Sequence, residues 1–188
     1  MALRDGPARI EGYAIVSEDG MLANAQHIMP DALKFEADAR FFEAGMDGLD
    51  AAIHGRHSHE MHPHSDRRKR ITVTTAPQSI APDPTNDKGI LWNPAGASFE
   101  EAWAVLKLPG GSLGVVGGTS IFEMFLPRYD VFHLTRAPGV RLPGGVPVFA
   151  EVPGKTPEQV LTSHGLRADA TRVLDAERNL TVTAWRRG

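Results

Sequence analysis

Two short segments carry the residues whose chemistry is easiest to name. In Val115-Val116-Gly117-Gly118-Thr119-Ser120-Ile121-Phe122 an apolar run meets a glycine pair and then a helix start. Glycine lets a backbone come close to a ligand, and the N–H groups of a first helical turn favour phosphate. The same order of strand, glycine and helix start recurs in Ile53-His54-Gly55-Arg56-His57-Ser58, now with cationic side chains. Arginine and histidine there suit a phosphate, and an extra phosphate is what separates NADP from NAD. Each segment alone also reads as an ordinary tight turn, and neither has the Gly-x-Gly-x-x-Gly spacing of a Rossmann fingerprint.

A third candidate is a carboxylate. Phe35, Asp38, Phe41 and Phe42 share one helical face by their three- and four-residue spacings. A carboxylate on such a face is costly to bury unless it is paired or used, so Asp38 is a candidate for proton handling. Its plain alternative is a solvated margin of the apolar stripe, and Asp31, just after Pro30, reads as a helix cap. His54, His57, His59, His62 and His64 form a cluster whose imidazoles could ligate zinc or nickel. Apart from Glu60 nothing completes a ligand set, so the segment is read as an exposed loop and no metal is expected. Trp92, Trp103 and Trp185 are read as packing residues, and Arg67-Arg68-Lys69-Arg70 as a solvated strand entrance.

The elements that must position these residues follow from pattern. Ile10 to Ser17 reads as a first strand ending at the turn Glu18-Asp19-Gly20, with residues 21–30 irregular. Asp31 caps a helix expected to run to Gly45, which serves as its terminator. Strands are expected at Asp50 to His54, Ile71 to Thr75 and Gly89 to Trp92. Ser98-Phe99-Glu100-Glu101 has capping-box spacing and starts a helix through Trp103, Leu106 and Leu108. Leu113 to Val116 reads as a strand covered on both faces, followed by a helix from Thr119 to Leu126 and a strand from Tyr129 to Thr135. A helix begins at Thr156-Pro157-Glu158, and strands near 167–175 and 179–186 form a final hairpin. Strands alternating with helices predict a single α/β domain over residues 1–188, with a mostly parallel sheet and an antiparallel C-terminal edge.

Composition bounds the partners. A chain of 188 residues can bury a core without staples. Its net charge of −3 gives no nucleic-acid footprint. With no cysteine, disulfides and thiolate metal sites are excluded, and a reducing cytoplasm is the expected location. No apolar stretch approaches the roughly 20 residues of a membrane span, and Met1-Ala2-Leu3-Arg4-Asp5-Gly6 lacks a signal-peptide core.

Taken together, the two glycine turns resemble the nucleotide-binding turns of the dihydrofolate reductase family, whose members carry Gly-Arg-x-Thr/Ser and Gly-Gly-x-x-Ile/Val-Tyr/Phe in this order. Thr74-Thr75, Phe125-Leu126-Pro127 and Leu134-Thr135 continue the similarity. The resemblance implies an eight-stranded, mostly parallel sheet with NADPH across the carboxyl ends of the strands. Arg56, His57 and Ser58, after Gly55, would hold the adenosine side and phosphates, with Thr74 and Thr75 near the 2′-phosphate. Val116, Gly117, Gly118, Thr119, Ser120, Ile121 and Phe122 would form the pyrophosphate turn, and Tyr13, Ala14 and Leu22 would border the nicotinamide. Asp38, four residues before Phe42, matches the family's acid, and Phe42, Arg68 and Thr135 would contact substrate.

Ser17-Glu18-Asp19-Gly20-Met21-Leu22-Ala23 is closer to the Ser-x-Asp-Gly-x-x-Ala pattern of riboflavin-biosynthesis deaminase–reductases, which share the fold and NADPH use. The expected function is hydride transfer from NADPH to a pterin. A ribosylated pyrimidine substrate and a non-catalytic NADPH-binding module are the alternatives. The expected partner is that small molecule, without nucleic acid or membrane, and the riboflavin-type relatives point to a homodimer.

Overall fold

A computed structural model of the chain describes residues 6–57 and 64–188. Ser58, His59, Glu60 and His62 lie outside the described residues, so their expected roles stay with the sequence. The chain forms strands β1 (Arg9–Val16) and β2 (Met21–Ala23), helix α1 (Glu36–Asp47), and strands β3 (Ala51–Gly55), β4 (Lys69–Val73), β5 (Ile80–Pro82) and β6 (Gly89–Trp92). Helix α2 (Phe99–Val105), strand β7 (Ser112–Gly117), helix α3 (Thr119–Met124) and strands β8 (Val131–Arg136) and β9 (Val146–Pro147) follow. Helix α4 (Pro157–Ser163) and the hairpin β10 (Leu166–Asp175) and β11 (Leu180–Arg187) complete it.

A nine-stranded sheet runs in the order β10-β11-β8-β1-β7-β3-β4-β6-β5. β1, β3, β4, β6, β7 and β8 pair in parallel. β11 joins β8 antiparallel, β10 joins β11, and β5 joins β6 antiparallel at the far edge. The mostly parallel α/β sheet and the C-terminal hairpin match the expectation. The ninth strand is the three-residue β5, too short to show a period in sequence. β3 and β7 carry apolar residues to both faces, as strands between two helical layers must. Trp92, Trp103 and Trp185 are buried packing residues.

Local chemistry explains the helix starts. Ser98 accepts the Glu101 N–H while the Glu101 carboxylate accepts from the Ser98 N–H, and Thr156 with Gln159 repeats this reciprocal cap. The helix expected from Asp31 to Gly45 is instead a 3-10 turn, Asp31–Leu33, followed by α1. Leu33 and Phe35 are buried, which draws the chain inward between the two pieces, and Asp31 pairs with Lys34 rather than capping. Gly45 does not end the helix. It lies inside α1 because the Tyr13 ring packs against it, and Gly48 forms the C-cap. The segment expected to be irregular contains β2, which pairs with β9.

Candidate functional site

Open α/β sheets bind ligands outside the carboxyl ends of their strands, where the winding direction changes. Here α1 leads from β1 to β3, while β7 returns between them and β8 takes the other side of β1. At that end lies a cleft of about 1330 Å³. Ile15, Gly55, Val73, Val116 and Thr135 line it, each near the carboxyl end of its strand.

One side of the cleft is glycine-rich. Gly55 closes β3 and is followed by the exposed Arg56 and His57, whose side chains are joined by a 2.9 Å hydrogen bond. Thr74 and Thr75 follow β4. After β7, Gly117 has φ +116, and a Cβ there would lie 2.9 Å from the Phe122 ring. That position therefore requires glycine on both conformational and steric grounds. The Gly117–Gly118 peptide is cis. The N–H groups of Ile121 and Phe122 bond the Gly118 carbonyl at 3.1 and 2.9 Å, which starts α3 and leaves the Thr119 and Ser120 N–H groups ahead of its first backbone bonds. The Thr119 hydroxyl donates to the Pro147 carbonyl, fixing this turn to β9.

The other side is aromatic and acidic. Asp38, Phe41 and Phe42 of α1 face Tyr13 of β1 and His133 of β8 across the cleft wall. Phe42 meets Tyr13 edge-on at 5.6 Å, and Phe41 meets His133 edge-on at 5.5 Å. Asp38 is half-buried and Thr135 is 1% exposed. Leu22, Ala23 and Val146 line the cleft from the β2–β9 ribbon.

Of the residues expected at the site, the cleft gathers Tyr13, Ala14, Leu22, Asp38, Phe42, Gly55, Arg56, His57, Thr74 and Thr75. It also gathers Val116, Gly118, Thr119, Ser120, Ile121, Phe122 and Thr135, with Gly117 buried directly behind Gly118. Arg68 is the exception. It precedes β4 at the amino end of the strands, is 5% exposed and bonds Asp47 at 3.2 Å, so it is not available to a molecule in the cleft. The expected solvated strand entrance is likewise corrected, because Arg68 and Arg70 are both buried. Among the described residues, no group of three or more metal-ligating side chains could hold a metal ion.

The Ser17–Ala23 pattern has a structural use. The Ser17 hydroxyl donates to Asp19 at 2.5 Å and accepts the Met21 N–H at 2.9 Å, while the Leu142 N–H reaches both Asp19 oxygens. Burial would push the Asp19 carboxyl up. The Ser17 and Leu142 hydrogen bonds outweigh it and hold the group below its usual range.

Glu11 and His133 were not singled out by the sequence. Glu11 sits on the interior strand β1 with 6% exposure. It accepts the Tyr13 hydroxyl at 2.7 Å, has His133 Nε2 at 3.3 Å, and pairs with Arg9 through its other oxygen. Burial opposes its charge, but the hydrogen bonds from His133 and Tyr13 and the Arg9 charge win, bringing its pKa down to about 2. Burial and the bond to Glu11 push the Tyr13 hydroxyl well up. A usable signal did exist, since Glu11 and Tyr13 share one face of a strand by period two. The partner His133 needs the register Tyr13↔His133 between strands far apart in sequence.

No family model matches the sequence, and no curated protein matches it. Solved structures do. A protein from Shewanella sp. PV-4 assigned to riboflavin biosynthesis is 21% identical at a TM-score of 0.66, covering 96% of this chain and 99% of its own. Dihydrofolate reductase from Enterococcus faecalis, complexed with NADP(H) and RAB-propyl, is 18% identical at 0.64, covering 97% and 98%. A pyrimidine reductase-like protein from Corynebacterium diphtheriae is 15% identical at 0.63, covering 95% and 91%. The chain has the dihydrofolate reductase-like fold over nearly its whole length. Among the described residues no helix is long and apolar enough to cross a membrane.

Proposed function

We propose that this protein is an NADPH-dependent reductase that adds hydride to a C=N or C=O bond of a pterin-type substrate. The observation that carries this reading is one continuous cleft with a glycine cradle and Arg56 on one side and Asp38 with Phe42 on the other. The cradle suits a dinucleotide, because Gly118 brings bare backbone to the cleft beside a helix start. In this assignment the Thr119 and Ser120 N–H groups and Arg56 hold phosphates, with His57, Thr74 and Thr75 on the adenosine side. Tyr13, Ala14 and Leu22 border the nicotinamide. When bound, NADPH supplies the hydride. The Asp38 carboxylate accepts an N–H of the substrate ring and supports protonation of the nitrogen being reduced. Phe42 and Thr135 keep the ring oriented, and the aromatic wall limits water.

A second substrate, a ribosylated aminopyrimidine, is favoured by the position of Arg68, which leaves no arginine for an acidic tail among the described residues lining the substrate side. The proposed location is the cytoplasm. The test follows NADPH oxidation at 340 nm with dihydrofolate and with the ribosylaminopyrimidine, using the wild type and Asp38→Asn. Dihydrofolate turnover that collapses in the variant supports the pterin assignment. Turnover of the pyrimidine alone moves the substrate, and failure of both substrates despite NADPH binding leaves a binding module.

A further inference from the structure

Glu11 is a carboxylate in the middle of a parallel sheet, where charge is costly, and the mechanism above does not use it. Its Oε2 is occupied by the Tyr13 hydroxyl at 2.7 Å and by His133 Nε2 at 3.3 Å. An ionised carboxylate only accepts hydrogen bonds, so the nitrogen facing it must carry the proton. The bond made by one imidazole nitrogen sets the state of the other, so in the neutral ring Nδ1 is left as an acceptor. The ring is also held mechanically. It stacks on Tyr13 at 4.6 Å with a 23° interplanar angle, and Phe41 closes on it from α1. Asp38 precedes Phe41 and Phe42 by three and four residues, so it shares their helical face and the same part of the cleft. The charged groups around the ring are Glu11 and Arg9 on β1, Asp38 on α1, and Arg172 of β10, which lies over Phe41 at 5.9 Å.

We propose that Glu11 is a positioning residue that fixes the His133 proton on Nε2, so that Nδ1 serves the substrate half of the cleft as a second hydrogen-bond acceptor beside Asp38. This rests on the reading of the cleft as a substrate site and deepens it. Two acceptors set in one aromatic box select a heterocycle bearing two donor groups, such as an amino-substituted ring with a further N–H or a hydroxyl. They reject a ring of the same shape that carries acceptors only, because burying unmatched acceptors on both partners has no compensation.

The test uses the whole chain with 15N-labelled histidine and no cofactor. His133→Phe assigns the His133 signals by difference. The wild type must show His133 as the Nε2–H tautomer, and Glu11→Gln, whose amide can donate to Nε2, must shift the proton toward Nδ1. Adding 2,4-diaminopyrimidine, which offers N–H donors, must move the Nδ1 resonance, whereas 1,3-dimethyluracil, which offers acceptors only, must not. The affinity for the diamine must fall roughly tenfold in His133→Phe, the loss expected for one hydrogen bond. It must recover in His133→Asn, whose side-chain oxygen can replace Nδ1 as acceptor. Should Glu11→Gln not fold, Tyr13→Phe leaves both Glu11 and His133 in place and must keep the Nε2–H tautomer. An Nδ1–H tautomer in the wild type, or equal response to the two pyrimidines, overturns the proposal. Failure of NADPH to bind would instead strike the reductase reading, and the nitrogen spectra decide the Glu11–His133 pairing independently of it.

Discussion

Replacing Gly45 by alanine is a sharp test of the packing that holds the site. In an exposed helix interior, alanine is favoured over glycine by about 1 kcal/mol. Gly45 is helical, so backbone propensity alone predicts stabilisation. The structure predicts the reverse. A Cβ there would run into the Tyr13 hydroxyl and approach ring carbons to 2.6 and 2.8 Å. Tyr13 cannot step aside freely, because it lies between Phe41, Phe42 and His133 and donates to Glu11. Overpacking of this kind costs about 1–3 kcal/mol. Loss of a hydrogen bond to a charged carboxylate costs about 1.5–3 kcal/mol. After the propensity gain, the net is a destabilisation of about 1.5–5 kcal/mol. For a chain of this size that lowers Tm by roughly 3–20 °C. Urea unfolding with linear extrapolation measures it, with Gly48→Ala as control, because a Cβ at that C-cap meets only the Gly45 carbonyl oxygen at 3.5 Å. The double variant Tyr13→Phe/Gly45→Ala should recover part of the loss, since the nearest colliding atom is gone. A Gly45→Ala protein as stable as the wild type, or more so, would refute the packing of Tyr13 against α1.

Further outcomes follow from other parts of the molecule. Asp38→Asn should lower kcat by about 10²–10⁴, the range for a lost acid–base group, while NADPH affinity is unchanged. Equal losses in both would mean that Asp38 serves the fold. Glu11 has its folded pKa lowered from 4.5 to about 2, so its contribution is fully present above pH 4.5 and is lost as pH falls toward 2. That contribution is on the order of 3 kcal/mol, and Glu11→Gln should flatten the slope of stability against pH between those limits. Gly117→Ala should destabilise by about 2 kcal/mol or more, since it combines a left-handed backbone with a collision against Phe122. Thermal melts of that variant with and without NADPH would show whether the cradle is lost along with the stability.

What could be read from sequence was local chemistry. Gly89 to Trp92 as a strand, the cap at Ser98 and the helix start at Thr156 were legible because each is specified within a few residues. The glycine turns were legible because turn and helix start are adjacent in the chain. β2, β5 and β9 have three, three and two residues, which is too few for a period to emerge. In sequence Gly45 reads as a terminator because glycine commonly ends helices, whereas in the fold it admits a ring from β1. Arg68 is one of four adjacent basic residues, and only its place at the amino end of β4 shows that it faces Asp47 rather than the cleft. The pairing of Glu11 with His133 spans 122 residues and depends on strand register, which no short window contains.

Isothermal titration of the wild type and Arg56→Ala with NADPH and NADH tests the central claim most directly. One NADPH per chain should bind, NADH should bind more weakly, and Arg56→Ala should lose about 10-fold or more, as expected when a charge-assisted bond to phosphate is removed. Absence of NADPH binding to the folded wild type would contradict the assignment of this cleft to a dinucleotide and, with it, the reductase.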